Sequence, residues 1–240
     1  MKSRLDQALV SRGLVATRSQ AESYIKLGDI VVNGVKATKP GKMVDEHDSL
    51  EITAKEQYVS RAGLKLASVA DILKLNFKGK TVLDVGSSTG GFTDFALKQG
   101  AQKVIAVDVG TNQLHPTLRS NPKVELHEKT DIRNFKPNAE IDLVVIDVSF
   151  ISLREILPTV YNFCIPRTTV VAMAKPQFEA VSLNQKHKGV IKNDAMRRNI
   201  LKQLEVRIQE LFVIADKRDS LVAGSKGNSE RFYLLKPIYK

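Results

Sequence analysis

Residues 81–92 read Thr81-Val-Leu-Asp84-Val-Gly86-Ser-Ser-Thr-Gly90-Gly91-Phe92 and lead into Phe95, Ala96 and Leu97. An apolar, β-branched run closed by glycines and followed by helix-period apolar residues predicts a strand, a tight loop and a helix. Glycines at such a loop let backbone come close to a ligand. Their spacing, Gly-x-x-x-Gly-Gly, is not the Gly-x-Gly-x-x-Gly of dinucleotide sites, and the Gly-Lys-Ser/Thr of a triphosphate loop is missing. Asp108, 24 residues beyond Asp84, ends a second apolar run, where a carboxylate can accept from both hydroxyls of a ribose. The stretch therefore predicts a site for a nucleoside without a phosphate tail.

Outward from this loop, strand-like runs at 81–85, 103–108, 142–147 and 169–174 alternate with helical stretches near 91–99, 111–119, 151–163 and 193–212. That rhythm predicts βαβ units, an α/β fold and a mostly parallel sheet buried on both faces. Asp147 ends one of the runs and is followed by Val-Ser-Phe; Lys175 ends another and is followed by Pro176-Gln177-Phe178. In an open parallel sheet ligands bind beyond the carboxyl ends of the strands, which places both residues beside the glycine loop. Taken singly, either residue could equally form a surface ion pair.

The chain has 240 residues, 42% of them hydrophobic, enough to bury a core in one large domain or two unequal ones. Its 37 basic and 26 acidic residues leave a net charge of +11, which predicts a polyanionic partner, either nucleic acid or an anionic membrane surface. No apolar run approaches the roughly 20 residues of a membrane span, and Met1-Lys-Ser-Arg-Leu-Asp lacks the apolar stretch of a secretory signal. The expectation is a cytoplasmic protein with no membrane partner. A single cysteine, Cys164, excludes an internal disulfide, and with four scattered histidines it matches no zinc spacing, so no metal is expected.

The charge is uneven. Residues 1–42 carry eight basic side chains against three acidic ones, whereas residues 43–60 carry five acids against one lysine. The first 53 residues read as two short helices and a hairpin. Ser3 with Asp6, and Thr17 with Gln20, have capping-box spacing; Gly13 and Gly28 sit at helix ends; Asn33-Gly34 is a hairpin turn. Residues 54–63 form a connector, and residues 64–240 hold the α/β domain. Arg4-Leu-Asp, Arg12-Gly, Thr17-Arg18-Ser19-Gln20-Ala21, Ile25, Gly28 and Val32-Asn33-Gly34 together resemble the S4-type RNA-binding domain, a small α+β module. The resemblance implies that Arg4, Arg12, Arg18, Ser19, Gln20 and Lys26 dock on structured RNA. Such contacts fall mostly on phosphates and position a protein without reading bases.

The glycine loop with its acids resembles the class I S-adenosylmethionine methyltransferases, which implies a Rossmann-like, mostly parallel seven-stranded sheet. It also implies cofactor binding by Asp84, Gly86, Ser87, Gly90, Gly91, Phe92, Asp108, Asp131 and Asp147, with Asp84 near the amino-acid end and Asp131 at the adenine amine. For the acceptor, Lys65, Asp147, Lys175 and Glu230 matter. A ribose hydroxyl must lose its proton as methyl arrives, and a lysine can take it only when neutral, well below its usual pKa near 10.4. Two lysines whose ammonium groups are oriented by two acids make a coherent device for that step. The Asn/Asp-Pro-Pro-Tyr/Phe of amine methylation and the Pro-Cys of cytosine C5 methylation are both missing.

Lys-Asp-Lys-Glu resembles the tetrad of the FtsJ-like ribose 2'-O-methyltransferases. More closely, Tyr58-Val-Ser-Arg61-x-Gly63-x-Lys65, Asp84-Val-Gly-Ser-Ser-Thr-Gly-Gly-Phe, Asp147-x-Ser-Phe-Ile-Ser-Leu, Lys175-Pro-Gln-Phe-Glu179 and Gly227-Asn-x-Glu230 are similar to the haemolysin A (TlyA) family. That implies 2'-O-methylation of a cytidine in ribosomal RNA, with the ribosomal subunit as partner. Lys175 is the expected base, because it directly follows a central strand, with Lys65 as the partner that lowers its pKa. Tyr58 stands where well-known members carry tryptophan, and the expected target is the large subunit rather than both. The loop 184–192 and the helix bearing Arg197, Arg198, Lys202 and Arg207 are expected to grip the target strand, and Phe178 to stack on an extruded base. A second class, a noncatalytic ribosome-assembly factor, also fits the sequence; against the third, the membrane-active cytolysin that the family's name suggests, stand the missing signal, spanning segment and strongly amphipathic stretch.

Overall fold

The computed structural model describes residues 2–15, 17–53, 58–185, 189–222, 224 and 227–239, with the side chains of Ser19, Ser23 and Leu27 outside that description. Residues 54–57 of the expected connector and 186–188 of the expected basic loop also lie outside the described residues.

The N-terminal unit comprises β1 (Ser3–Arg4), α1 (Leu5–Ser11), α2 (Arg18–Leu27), β2 (Ile30–Val32), β3 (Val35–Ala37), β4 (Met43–Val44) and β5 (Leu50–Ile52). Strand β1 pairs antiparallel with β4, and β3, β2 and β5 form a separate three-stranded sheet. The hairpin forms at Asn33 and Gly34, whose φ values of 52° and 76° are those a two-residue turn requires. Thr17 caps α2 by accepting from the Gln20 amide at 3.2 Å. The expected Ser3 cap is not there. Ser3 is extended in its ladder opposite Val44, Arg4 holds the cap position without a side-chain bond, and Asp6 has another task.

The Asp6 carboxylate, fully buried, accepts from Arg4 Nε and Nη2 at 3.0 Å each, from Arg18 Nε at 2.7 Å and from the Gln7 amide at 3.0 Å. Burial works to raise this carboxyl, but the two guanidinium groups outweigh it and hold it below the usual range. The group ties α1 to α2. Asp6→Ala is expected to destabilise the unit by about 2 kcal/mol at pH 7. The difference shrinks as pH falls below about 4, because a depressed carboxyl stabilises only while ionised. Urea denaturation at both pH values measures this.

The second unit holds α3 (Arg61–Ala70), β6 (Thr81–Val85), α4 (Gly91–Lys98), β7 (Lys103–Val107), α5 (Pro116–Arg119), β8 (Val124–His127), a 3₁₀ turn (Ile132–Asn134), β9 (Ile141–Ile146), α6 (Leu153–Tyr161), β10 (Cys164–Ala174), α7 (Pro176–Ser182), α8 (Asp194–Ile208), β11 (Phe212–Asp219) and β12 (Arg231–Pro237). They build a seven-stranded sheet in the order β11-β12-β10-β9-β6-β7-β8, with β12 antiparallel to both neighbours and the other pairs parallel. Alternation along the strands divides the core. Val82, Val104, Leu143, Val145 and Val171 pack under α3 and α4, whereas Leu83, Ile105, Val144, Ile146 and Val170 pack against α6 and α8. With both faces covered, the strands read as continuous apolar runs.

Two boundaries differ from expectation for local reasons. The helix expected over 111–119 shrinks to α5, because Asn112 takes φ 54° and donates its amide to Glu128, and Pro116 opens the helix only afterwards. The helix expected to 212 stops at Ile208, and Phe212 starts the edge strand β11. The two units share a seam: one apolar cluster runs from Leu9, Tyr24 and Ile25 through Tyr58 and Leu66 to Phe95. Tyr58 packs its ring 5.5 Å from that of Phe95, and Asp94 accepts from the Val59 amide at 2.8 Å. Among the described residues no helix is long and apolar enough to cross a membrane.

Candidate active site

The chain runs from β6 outward through β7 and β8, then returns so that β9 lies on the other side of β6. This reversal of strand order opens a crevice at the carboxyl ends of β6 and β9. Register decides who meets there. Val85 pairs with Ile146, so Gly86 and Asp147 emerge side by side; Ala174 pairs with Arg231, so Lys175 and Glu230 emerge opposite each other. A Cβ on Gly86 would lie 2.7 Å from the Asp147 carbonyl oxygen, and the residue sits at φ 82°, so glycine is what lets the two loops touch. Lys65 arrives from α3, where it is buried.

All four residues of the expected tetrad come together. Lys175 Nζ lies 2.5 Å from Asp147 Oδ1 and donates to Ser149 Oγ at 2.8 Å; Lys65 Nζ lies 2.6 Å from Glu230 Oε2. Each pair is nearly removed from solvent, with side-chain exposures of 10% and 14% in the first and 8% and 3% in the second. Lys65, Lys175 and Glu230 share the wall of a cavity of about 530 Å³ with Phe178, Gln177 and Ser149. A neighbouring cavity of about 610 Å³ is walled by Gly86, Asp108, Val109, Asp131 and Asp147. A smaller one of about 120 Å³, lined by Ser87, Phe92, Asp147 and Lys175, lies between glycine loop and tetrad. Two volumes of ligand size thus adjoin at Ser149, Phe150 and Ile151.

The loop residues do different things. Asp108 accepts from the amides of Ser88 at 2.8 Å and Gly110 at 2.7 Å, one on each oxygen, which leaves each a second lone pair toward the cavity it lines. Asp131 lines the same cavity but is held by Arg133, whose hydrogen bonds, strongest at 2.6 Å, keep its carboxyl below the usual range despite partial burial. Gly91 faces away: a Cβ there would meet Ser60 Oγ, Ala62 and the Gly63 amide within 2.7 Å, so it serves the contact of α4 with α3. At Gly90, φ 92° and the side chains of Leu114 and Leu118 impose the same residue.

Asp84 lies beneath the loop, completely buried, with Thr93 Oγ1 donating to it at 2.6 Å and its other oxygen unpartnered. Burial pushes its carboxyl up to about 7, against the hydrogen bond from Thr93 and with Asp147 and Asp108 adding repulsion. Ser87 Oγ is a second buried atom without a partner. A buried acid and a buried hydroxyl left unsatisfied beside a small cavity fit a cationic, hydrogen-bonding group there.

One residue of the site was missed at sequence level. Phe150 is 91% exposed, holds φ 66°, and its ring lies 5.1 Å from that of Phe178, at the junction of the two larger cavities. The signal was there in Asp147-Val-Ser-Phe150, but nothing in a sequence says that an aromatic will stay out of the core. Phe178 itself lines the cavity of Lys65 and Lys175, its ring 6.0 Å from Lys175 Nζ.

The residues expected to bind RNA are not gathered into one free patch. Arg4 and Arg18 converge on Asp6, while Arg12 donates to the carbonyls of Asp45, Glu46 and Asp48. Arg4 and Arg18 still expose 42% and 51% of their side chains, and Lys26 is exposed. Gln20 is half-buried, and the Ser19 side chain lies outside the described residues. In the second basic region Arg197 pairs with Asp219 at 2.7 Å and Arg207 pairs with Glu210, whereas Arg198 and Lys202 lie exposed on α8.

Comparison with known proteins agrees with this architecture. The FtsJ-like methyltransferase family matches residues 58–236, and the S4 domain matches residues 3–50. The 16S/23S rRNA (cytidine-2'-O)-methyltransferase TlyA of Mycobacterium tuberculosis is 35% identical over 98% of this chain and 90% of its own length. The 23S rRNA (cytidine-2'-O)-methyltransferase TlyA of Campylobacter jejuni is 35% identical over 93% of this chain and 96% of its own. A solved chain from Streptococcus thermophilus, described as a possible hemolysin, is 35% identical and covers 98% of this chain and 88% of its own at a TM-score of 0.72.

Proposed function

Because the chain belongs to the FtsJ-like methyltransferase family, with the N-terminal S4 domain and the overall layout of TlyA proteins, we propose that it methylates the ribose 2'-hydroxyl of a cytidine in ribosomal RNA from S-adenosylmethionine. The observation that carries this reading is the pair of lysine–carboxylate contacts whose two lysines share one cavity wall, directly beside a nucleoside-sized cavity that Asp147 lines. When bound, the cofactor supplies an electrophilic methyl group. The rest is done by the chain's own residues.

Lys175 lies against Asp147 and donates to Ser149, which leaves a further position on its nitrogen for an acceptor hydroxyl in the cavity. As the new bond to the ribose oxygen forms, neutral Lys175 takes the hydroxyl proton, and Asp147 at 2.5 Å stabilises the ammonium that results. Lys65, fixed by Glu230, contributes a second positive charge to the same wall and so favours an oxygen gaining negative character. Asp108 is assigned to the ribose hydroxyls of the cofactor, Asp131 to its adenine amine and Ser87 to its amino-acid end. Phe150 and Phe178, their rings tilted against each other at the cavity mouth, give an extruded base an aromatic surface.

The S4 domain would hold structured RNA at a distance from the site, through Arg4, Arg12, Arg18 and Lys26, and α8 would hold it nearby through Arg198 and Lys202. We take the large-subunit RNA as the target and the cytoplasm as the location. Mapping ribose methylation on both ribosomal RNAs, in cells with and without the protein, tests this. The expected result is one cytidine mark on the large-subunit RNA that disappears with the protein. Unchanged maps overturn the reading, and an additional small-subunit mark corrects the target.

A further inference from the structure

Asp147, Ser149 and Phe150 share a loop, residues 147–152, that runs from the end of β9 to the start of α6. Backbone hydrogen bonds tie the loop at its two ends alone among the described residues, the Asp147 amide donating to the Val85 carbonyl at 3.0 Å and the Glu155 amide to the Ser152 carbonyl at 3.1 Å, and at Phe150 it takes φ 66°, a conformation that costs a bulky residue on the order of 1–3 kcal/mol. Something must hold it. On one side Lys175, immediately before α7, contacts Asp147 and donates to Ser149. On the other side Glu179, four residues further along and within that helix, accepts from Ser152 Oγ at 2.5 Å and from the Leu153 amide at 2.9 Å. Ser152 Oγ in turn caps α6 by accepting from the Arg154 amide at 3.1 Å.

Glu179 is 1% exposed and lies on the wall of neither larger cavity, so substrate does not reach it, and each of its oxygens is engaged at the loop's end. Arg154 Nε stands 3.8 Å from it and moderates the buried charge. A carboxylate is costly to bury, and here its bonds all go to one end of the strained loop. We propose that Glu179 is a positioning residue: it latches the far end of loop 147–152 to the helix that Lys175 immediately precedes, so that Ser149 stays on Lys175 and Phe150 stays out at the cavity mouth. The latch and the lysine grip the loop at two points with Phe150 between them, and the left-handed turn persists only while both hold. This assignment rests on the methyl-transfer reading and goes beyond it, because Glu179 touches neither substrate nor cofactor.

The test is a double-mutant cycle of Glu179→Ala with Ser149→Ala, read as kcat and KM for methyl transfer to large ribosomal subunits lacking the mark. Glu179→Ala alone is expected to lower kcat by about 10²-fold with KM changed less than about threefold, as a displacement of reacting groups does. In the Ser149→Ala background the same substitution is expected to cost less than about fivefold, since its effect travels through Ser149. Glu179→Gln, which keeps an acceptor for the Leu153 amide and can still hydrogen-bond Ser152, restores at least half of the lost activity on a logarithmic scale. Independent, multiplicative losses, or a Gln variant as impaired as Ala, overturn the latch and leave Glu179 as a fold residue. Absence of transfer by the unaltered protein overturns the functional reading itself and the latch with it.

Discussion

Lys175→Met lowers the single-turnover rate of methyl transfer by about 10³-fold while binding of ribosomal RNA changes little. The general-base contribution of a positioned side chain lies between about 10² and 10⁴, and Lys175 also organises Asp147 and Ser149. RNA affinity rests on charges spread over both units, and one nearly buried ammonium adds little to it. The same substitution leaves the Asp147 carboxylate, 14% exposed, without its cation. Stability is therefore expected to fall by about 2 kcal/mol. Adding Asp147→Asn recovers that stability, because the partner charge is gone, and recovers none of the activity. Rapid-quench kinetics and urea denaturation of the two variants separate the roles. A Lys175→Met enzyme within tenfold of the unaltered rate would remove Lys175 from the chemistry and leave Lys65, the other lysine on that wall, as the base.

The second large effect is a pH dependence carried by Asp84. Burial holds its carboxyl at about 7 in the folded protein against a usual value near 3.8. Below pH 3.8 the group is protonated whether the chain is folded or not, and it costs nothing. Between 3.8 and 7 the unfolded chain ionises first, so stability declines as pH rises, by about 4 kcal/mol in all once pH passes 7. Asp84→Asn removes this slope. In the absence of ligand the variant is expected to be more stable than the unaltered protein at pH 8, by on the order of 2 kcal/mol after the cost of a buried amide, and no more stable at pH 4. A cationic ligand above the loop favours ionised Asp84. S-adenosylmethionine is therefore expected to bind about tenfold more tightly at pH 8 than at pH 6, with proton release, and the Asn variant to bind weakly at both. Calorimetric titration in two buffers of different ionisation enthalpy measures the affinity and the proton together; a flat affinity would detach Asp84 from the cofactor site.

The sequence made the parallel core legible because its strands, buried on both faces, are continuous apolar runs, and because glycines and acids mark where they end. Asp147 and Lys175 could be placed for that reason. Lys65 and Glu230 could not be placed by periodicity: one sits on a helix face and the other before an antiparallel strand whose register, Ala174 against Arg231, no local pattern displays. They came from likeness to a family. The individual pairings, Lys175 with Asp147 and Lys65 with Glu230, needed coordinates. Gly90 and Gly91 look like ligand contacts in sequence, yet packing against Leu118 and α3 already accounts for them. Ser3 illustrates the opposite limit: capping-box spacing predicts a helix start, and a two-residue ladder with β4 overrides it. Basic residues counted as RNA contacts were legible as charges, but their partners within the protein were not: Arg12, exposed, also donates to three carbonyls of a turn.

Central to the account is the atom that receives the methyl group. Large ribosomal subunits from cells lacking the protein, incubated with it and with S-adenosylmethionine carrying a labelled methyl, can be digested to nucleosides and resolved by mass. The prediction is label in 2'-O-methylcytidine alone, lost with Lys175→Met. Label on a base, on another nucleoside, or on ribosomal protein would contradict it.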